Sequence, residues 1–204
     1  MRHSFSQNEL SLIPVNAVTK SKGKIIASKD SLTRSIQRLC FQLMEHHGDF
    51  SGSCIIGIQN KGVWLAERLK EKLYQLDPKL AILSGKLDIT FFRDDFRKGN
   101  KILTAAPTEI DFLIENKRVI LVDDVLYTGR TIQAALQALQ QFGRPASVEL
   151  LVLVDRRFNR HLPIQPNYVG MRVDALEEAY VQVKWSEEGD TDNIIMFDSE
   201  PKQI

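Results

Sequence analysis

The sequence predicts an α/β domain built on a parallel sheet. Its 204 residues and 43% hydrophobic content suit one domain that buries most of its apolar surface. Short apolar runs of strand length alternate with segments whose apolar residues recur at helical spacing. Because this alternation is typical of parallel strands joined by right-handed crossovers, we expect helices packed on a parallel sheet.

The first predicted strand and helix occupy residues 24–47. Lys24–Ala27 is a short apolar segment. Ser28 or Asp30 can cap the helix that follows, because a side-chain oxygen there accepts from free amides of the first turn. The helix should end near Gly48. Its apolar stripe has the spacing of one helix face and consists of Leu32, Ile36, Leu39, Cys40 and Leu43.

The next elements lead to a long loop. Ser53–Ile58 is an apolar run of strand length, and Gln59–Gly62 is a turn. A second helix is predicted from the spacing of Val63, Ala66, Leu69 and Leu73. Residues 80–92 are rich in Leu, Ile and Phe and should be extended. Residues 94–117 are polar, and a loop of that length is usually functional or mobile.

The second half of the chain starts with the apolar run Val119–Val122. This run stops at Asp123 and Asp124 and suits a central parallel strand that is buried on both faces. The elements predicted after it are a helix over 132–142 stopped at Gly143, the strand Val148–Val154, a basic loop over 155–166, an edge strand over 181–185 and a last strand over 193–197.

Composition excludes several classes of protein and site. The formal net charge is +1, so nothing overall indicates nucleic-acid binding. Residues 174–204 nevertheless carry nine acids and two bases, a net charge of −7, which leaves +8 on residues 1–173. Such a basic body suits nucleic acid or phosphorylated substrates equally well, and it can also be a set of solvated faces. Cys40 and Cys54 are too few for a disulfide scaffold and lack metal-ligand spacing, so we expect buried thiols.

Targeting signals are not evident in the sequence. No apolar stretch is long enough to span a membrane, and the first 24 residues contain no signal-peptide core, so we expect a cytoplasmic protein. His46 and His47 lie at the polar end of the first helix, where we expect them on the surface.

The strongest functional signal is the segment Val119–Thr131, which reads VILVDDVLYTGRT. In parallel sheets, ligands bind beyond the carboxyl ends of the strands, where Asp123 and Asp124 are predicted to lie. The turn that follows contains Gly129, which allows a ligand to approach the backbone closely. A helix starts there, and its free amides and dipole favour an anion.

This segment has the layout of a site for ribose 5-phosphate. The hydroxyls of Thr128 and Thr131 can add donors to a phosphate cradle, and the two carboxylates can accept sugar hydroxyls or hold a metal through water. Acids at a strand end are also found in receiver-type Mg²⁺ sites, so the two acids alone leave both interpretations open.

The complete segment resembles the signature of the type I phosphoribosyltransferases, in which four hydrophobic residues and two acids precede a Thr-Gly-x-Thr loop. The resemblance implies a parallel-sheet type I core with a small hood and a mobile lid loop. Asn60, Lys61 and Gly62 stand where this family places its pyrophosphate-binding loop, although N-K-G alone would be an ordinary turn. The residues implied to bind phosphoribosyl pyrophosphate (PRPP) are Val125, Leu126, Tyr127, Thr128, Gly129, Arg130 and Thr131.

Within this family the chain resembles one subfamily in particular, the bifunctional pyr-operon attenuation regulators and uracil phosphoribosyltransferases (PyrR). The similarity runs from about Ile25 to Trp185 and includes Asp88–Asp95 at the head of the long loop. It implies that the loop is a lid that excludes water from the site, with Arg93 at its hinge side. Without that resemblance, the charges at 93–95 would be interpreted as solvated.

The implied reaction transfers ribose 5-phosphate from PRPP to a base nitrogen, with uracil as the expected base and UMP and pyrophosphate as products. Mg²⁺ would neutralise the leaving group, and no direct protein ligand to it is implied. Asp123 and Asp124 would hold the 2- and 3-hydroxyls of the sugar near the developing positive charge. Lys61 and Arg93 would stabilise the departing pyrophosphate.

Two regions depart from the subfamily pattern. The usual run Asp-Arg-Gly-His-Arg-Glu-Leu-Pro is one residue longer here, and Arg157 and Phe158 replace its Gly and His. With Arg156, these residues form the loop implied to lie near the base pocket. On the first helix, Gln37 and Phe41 stand where RNA-binding members carry Thr and His. The accepted base and RNA binding are therefore both open.

Two alternatives accompany uracil transfer. One is a phosphoribosyltransferase for another base, such as a purine. The other is a pyrimidine-responsive, RNA-binding attenuator with weak or no enzyme activity, in which Arg34 and Arg38 on the first helix would contact RNA.

The expected organisation has three parts. Residues 1–22 form an N-terminal extension, 23–186 the phosphoribosyltransferase domain and 187–204 an acidic C-terminal segment. The family resemblance also implies a homodimer or homotetramer.

Overall fold

The computed structural model describes residues 23–94, 105–175 and 179–199, so the predicted extension over 1–22 lies outside the described residues. The helices and strands of this part of the chain, in order, are β1 (Lys24–Ala27), α1 (Lys29–His47), β2 (Ser53–Ile58), α2 (Lys61–Leu76), β3 (Leu83–Leu87), β4 (Arg118–Leu126), α3 (Arg130–Leu139), β5 (Ser147–Arg157), β6 (Tyr168–Asp174), β7 (Tyr180–Lys184) and β8 (Asn193–Phe197). Short 3₁₀ turns lie at Thr90–Phe92, Gln140–Phe142 and Ser186–Glu188.

The larger sheet is parallel and has the strand order β3-β2-β4-β5-β6. Its central strands are buried because helices cover both faces. Ile120 and Val122 of β4 pack in one core cluster with α1 and α2. Val119 and Leu121 pack in the other with α3. This arrangement confirms the predicted parallel α/β core and explains why β4 is apolar at successive positions.

Helix α1 begins and ends where the sequence predicts. The Oγ of Ser28 accepts from the N–H of Ser31 at 3.5 Å, and Gly48 follows the last turn with φ 58°. The predicted apolar stripe is buried and faces the parallel sheet and α2. Among the helices of the described residues, none is both long and apolar enough to cross a bilayer.

A smaller antiparallel sheet with the order β1-β8-β7 stands beside the parallel one. We call this sheet, together with its connection 185–192, the hood. Although β1 opens the alternation of strands and helices, it pairs with β8 and does not belong to the parallel sheet. Strand β8 comes from the predicted acidic segment 187–204, so the expected boundary at 186 falls inside the hood. The hood is held together by pairing between residues far apart in the sequence.

Strand β6 is not predicted from the sequence, because Gly170 and Arg172 interrupt its apolar pattern. Gly170 is required by close approach to β5, since a Cβ there would lie 2.5 Å from the carbonyl oxygen of Leu153. The extended run predicted over 80–92 is also shorter than expected. It consists of β3 and a 3₁₀ turn.

The prediction that His46 and His47 lie on the surface is wrong for His47, whose side chain is buried at the amino ends of β2, β5 and β6. Its Nδ1 lies 2.9 Å from the Oγ of Ser53, and its Nε2 lies 3.0 Å from the Tyr168 hydroxyl. The Glu149 carboxylate lies 3.3 Å from the same Nε2. Burial lowers the pKa of His47, although Glu149 opposes this effect.

Folding stability should therefore fall on mild acidification. Because the pKa of His47 is lower in the folded than in the unfolded chain, its contribution is fully present above about pH 6.5 and is lost as the pH falls through the folded pKa. Arg118 and His46 add positive charge nearby, whereas Glu149 attracts the proton. Urea unfolding at about pH 7.5 and about pH 5.5 should show this loss, and His47→Gln should reduce it. An equal loss in the variant would contradict the assignment to His47.

Candidate active site

A cleft of about 430 Å³ lies between the carboxyl edge of the parallel sheet and the hood. Four secondary-structure elements supply its walls, and it lies where ligands bind in parallel sheets. Its lining residues are Lys61, Asp124, Val125, Tyr127 and Arg156 on the core side and residues 179–183 on the hood side.

Asp123 and Asp124 lie inside β4, so the prediction that the strand stops before them is wrong. Parallel pairing with β5 continues past the acids to Leu126, and Asp123 is itself paired with Val152. Because successive strand residues point to opposite faces, Asp124 faces the cleft and Asp123 faces the other side, where the charge of Arg93 acts on it.

Both carboxyl groups are held in an environment that disfavours their charge. Burial raises the pKa of Asp124 to about 6, and the nearby Lys61 ammonium opposes this rise. Burial holds the pKa of Asp123 well above its usual range, and the negative charge of Asp124 is the second cause. The positive charge of Arg93 opposes this rise. The Asp123 carboxylate also accepts from the N–H of Asp124 at 3.0 Å. Hydroxyl donors or a cation from a ligand would therefore stabilise the ionised pair.

The predicted phosphate loop joins β4 to α3. Gly129 has φ 92°, and a Cβ there would lie 3.2 Å from the Cδ1 of Ile164. The N–H of Gln133 donates to the carbonyl of Gly129 at 3.0 Å, so the amides before it belong to the first turn of the helix, where the N–H of Arg130 donates to the Thr128 Oγ1 at 3.4 Å. The Thr128 carbonyl accepts from the N–H of His161 at 3.0 Å, which holds the loop in place. This geometry suits an anion.

The side chains of the phosphate loop differ in their surroundings. Leu126 is buried in the core with α3, so it can offer a ligand only its backbone. Arg130 is exposed and forms an ion pair with Asp94 at the start of the predicted lid. Arg93, which the resemblance places on the hinge side of the lid, is exposed as well. The part of the lid over 95–104 lies outside the described residues.

The predicted pyrophosphate loop forms the start of α2. Asn60 is exposed, and the peptide bond between Gln59 and Asn60 is cis. Gly62 is buried against β4, where a Cβ would lie 2.4 Å from the carbonyl oxygen of Val122. Glycine at this position therefore allows the loop to approach the strand that carries the two acids.

Lys61 connects this loop to the hood. Its Nζ donates to the carbonyl of Val183 at 2.7 Å and lies 3.3 Å from the Glu188 carboxylate. Its charge also acts on Asp124, which lines the same side of the cleft. Lys61 is thus a cation placed between the Asp124 carboxylate and the hood.

The three predicted base-pocket residues do not share one cavity. Arg156 is buried and lines the cleft, with its Cζ 3.7 Å from the centroid of the Tyr127 ring. Arg157 and Phe158 line a separate cavity of about 420 Å³. Because β5 extends to Arg157, successive residues point to opposite faces, and Arg157 pairs with Asp174 of β6 at 2.6 Å.

Some residues of the site are missed by sequence reasoning. Arg160 donates to the carbonyl of Tyr127 and to the carboxylate of Asp155, the latter at 2.6 Å, and so supports the phosphate loop. The hood wall over 179–183 is missed as well. The alternation over 181–185 predicts an edge strand, but alternation alone does not indicate which strand or cleft lies beside it.

The two arginines predicted to contact RNA lie on α1, outside the cleft. Arg34 is exposed. Arg38 donates to the carbonyls of Val169 and Gly170 in β6 at 2.9 and 2.6 Å, so it ties α1 to the edge of the parallel sheet. Arg34 is therefore the better candidate for an external ligand.

The comparisons with known proteins agree with this geometry. The family model described as phosphoribosyl transferase domain matches residues 24–188 of this chain. Bifunctional protein PyrR of Deinococcus radiodurans is 40% identical over 186 residues, which are 91% of this chain and 100% of that protein. Bifunctional protein PyrR of Desulfosudis oleivorans is 45% identical over 159 residues, which are 78% of this chain and 87% of that protein.

A solved structure supports the fold. Hypoxanthine phosphoribosyltransferase of Staphylococcus aureus superposes with a TM-score of 0.64 at 19% identity, covering 85% of this chain and 90% of that one. From the family match and the full-length relatives together, the chain belongs to the phosphoribosyltransferase family and, within it, to the PyrR proteins.

Proposed function

We propose that this protein transfers the 5-phosphoribosyl group of PRPP to the N1 nitrogen of uracil, giving UMP and pyrophosphate. The observation that carries the proposal is one cleft in which Asp124, Lys61 and a hood strand meet next to the phosphate loop. Such a cleft offers a cation for pyrophosphate, a carboxylate for the sugar and a wall for a planar base.

Different residues of the chain bind different groups of PRPP. Amides and hydroxyls of the turn at 128–131 bind the 5-phosphate, which is remote from the reacting carbon, and so supply binding energy for orientation. Asp124, which faces the cleft, accepts hydrogen bonds from the ribose hydroxyls, and Asp123 adds its negative charge from the opposite face of β4. Their charge stabilises the positive charge that develops on the ring as the bond to pyrophosphate breaks. Lys61, which lines the cleft, meets the leaving oxygens, and Arg93 adds positive charge from the start of the lid.

The donor set also fits Mg²⁺. Asp124, which faces the cleft, would hold it through water, because carboxylate oxygens and water are ligands this ion prefers. Over 23–94, 105–175 and 179–199, no group of three or more His, Cys, Asp or Glu side chains is placed to hold a metal ion. Mg²⁺ usually keeps several waters and takes further ligands from substrate phosphates. When bound, it supplies positive charge to the leaving pyrophosphate.

The free edge of β7 can recognise the base. The Val183 carbonyl accepts from Lys61, so it faces away from the paired strand β8. Alternation along the strand gives Val181 the same orientation. The carbonyl of Val181 and the N–H of Val183 then present an acceptor beside a donor, which matches the N3–H and a carbonyl of uracil. Arg156 adds a cation to this cleft, which favours a base with two carbonyl oxygens over hypoxanthine, which has one.

Pyrophosphate release tests the choice of base. The protein is incubated with PRPP and Mg²⁺ and with uracil, hypoxanthine, guanine, adenine or orotate in separate reactions. We expect release with uracil. Release with a purine alone would contradict the proposed base while supporting the family reaction. No release with any base would contradict the enzyme and favour the regulator.

A second candidate function is RNA binding by a regulator: the relatives are named bifunctional, which leaves room for a second activity, and the exposure of Arg34 on α1 favours this one. Phosphate contacts release counterions, so RNA affinity should fall steeply with salt. Arg34→Glu should weaken binding of a structured RNA in a filter assay and spare pyrophosphate release, because Arg34 lies outside the cleft. If Arg34→Glu binds the RNA as tightly as the wild type does, the proposed RNA contact through Arg34 is contradicted. Arg38 is a poor test, because its substitution also breaks the contact with β6.

A further inference from the structure

One side chain of α2 ties the core to the hood. Arg68 lies about two helical turns after Lys61, and its guanidinium reaches the connection 185–192. Its hydrogen bonds run from Nε to Glu187 Oε1 at 2.9 Å, from Nη1 to Asp192 Oδ2 at 2.8 Å, and from Nη2 to Ser186 Oγ, Glu187 Oε2 and Asp192 Oδ1 at 2.8, 2.6 and 2.9 Å. The guanidinium is thus shared among three residues of the hood.

The same guanidinium covers the residue that follows β7. Its Cζ lies 4.6 Å from the centroid of the Trp185 ring, and Trp185 is fully buried. Val181 and Val183 are buried with Trp185 in the core cluster that also contains residues of α1 and α2. Arg68 therefore holds the end of the strand whose free edge borders the cleft.

We propose that Arg68 is a positioning residue for the nucleobase. It acts through Trp185, Glu187 and Asp192, which together fix where the edge of β7 stands over the cleft. The inference deepens the proposed function and rests on the assignment of that edge to the base. The phosphate loop at 128–131 belongs to other elements, β4 and α3, so a shift of the hood should leave phosphate binding in place.

Lysine cannot replace this arginine. The planar guanidinium forks onto two carboxylates and lies over an aromatic ring, whereas an ammonium is a single compact charge. Arg68→Lys keeps the positive charge but loses the paired hydrogen bonds to the two carboxylates. The variant therefore distinguishes the positioning of the hood from the effect of charge alone. The control is Lys184→Met, which breaks the 2.9 Å pair of Lys184 with Asp190 inside the hood and leaves Arg68 untouched.

Calorimetric titration with two ligands tests the proposal without turnover. UMP carries the base, and ribose 5-phosphate lacks it. We expect Arg68→Lys to weaken UMP binding about tenfold and to change ribose 5-phosphate binding less than about twofold, as the loss of one or two hydrogen bonds to the base predicts. Lys184→Met should change neither affinity.

Several results would overturn the proposal. In Arg68→Lys, these results are an equal loss of affinity for UMP and ribose 5-phosphate, or an unchanged affinity for both. A wild-type protein that binds UMP no more tightly than ribose 5-phosphate would also overturn it. If Arg68→Lys does not fold, as judged by circular dichroism, Arg68→Gln is titrated in its place and the same criteria hold. Glu187→Gln and Asp192→Asn each remove one arm of the fork, and each should weaken UMP binding selectively. A wild type that binds UMP selectively but releases no pyrophosphate would contradict the proposed reaction and leave the role of Arg68 standing.

Discussion

Replacing Asp124 by asparagine is expected to lower kcat/KM for phosphoribosyl transfer roughly a hundredfold, while the fold stays intact. The amide keeps the shape of the side chain but carries no charge to stabilise the developing positive charge on ribose. Removal of one preorganised electrostatic contact in other enzymes typically costs about 10²–10³ in rate. Because burial disfavours the carboxylate, its loss should not destabilise the protein. Steady-state rates and urea unfolding of the two proteins measure both effects.

The matched control is Asp111→Asn, which removes the same charge from an exposed position outside the cleft. Its kcat/KM should equal that of the wild type. A loss of activity in Asp111→Asn of similar size would assign the effect to net charge. Full activity in Asp124→Asn would reject the role proposed for Asp124.

The pH dependence provides an independent check on Asp124. Its pKa is about 6 in the free protein, so the ionised form that the sugar requires is lost as the pH falls below that value. In the wild type, kcat/KM should rise through about pH 6 and then level off. Asp124→Asn should lack this rise. The same rise in the variant would assign the titration to another group.

Replacing Gly62 by alanine is expected to lower the free energy of unfolding by about 1–3 kcal/mol, as overpacking does in other proteins. A Cβ at this position would lie 2.4 Å from the carbonyl oxygen of Val122 and 3.2 Å from the Cα of Asp123. Both contacts are backbone atoms of β4, so the start of α2 has to move. Lys61 moves with it, and the KM for PRPP should rise. Urea unfolding and steady-state kinetics measure the two effects.

Gly52→Ala is the control for Gly62→Ala. No atom lies within 4 Å of the Cβ position at Gly52, and its φ is not in the positive range. Alanine there should be neutral or slightly stabilising, because it restricts the unfolded chain. If Gly62→Ala were as stable as Gly52→Ala, the approach of α2 to β4 would not be as tight as described.

Local patterns predict much of this fold. The cap at Ser28, the apolar stripe of α1 and the glycine after it predict that helix correctly, because capping and periodicity depend on neighbouring residues. The run over 119–122 predicts a central strand, since only burial on both faces makes an apolar run of that kind stable. In both cases the physical cause lies within a few residues of its effect.

Other features depend on residues that are distant in the sequence. Strand β1 looks like the first strand of the alternation, yet its partner β8 lies near the far end of the chain. The contacts of Lys61 with Val183 and of Arg68 with Asp192 join α2 to the hood, and no spacing in the sequence indicates either. Strand pairing also decides how far β4 extends, which is why the two acids lie inside the strand.

The most direct test of phosphoribosyl transfer to uracil is phosphorus NMR of the complete reaction. Protein, PRPP, Mg²⁺ and uracil are mixed, and the phosphorus signals of the products are followed over time. We expect UMP and pyrophosphate in equal amounts, because each transfer releases one pyrophosphate. Pyrophosphate with ribose 5-phosphate and no UMP would show that water is the acceptor, which would contradict transfer to uracil. Unchanged PRPP would contradict it as well.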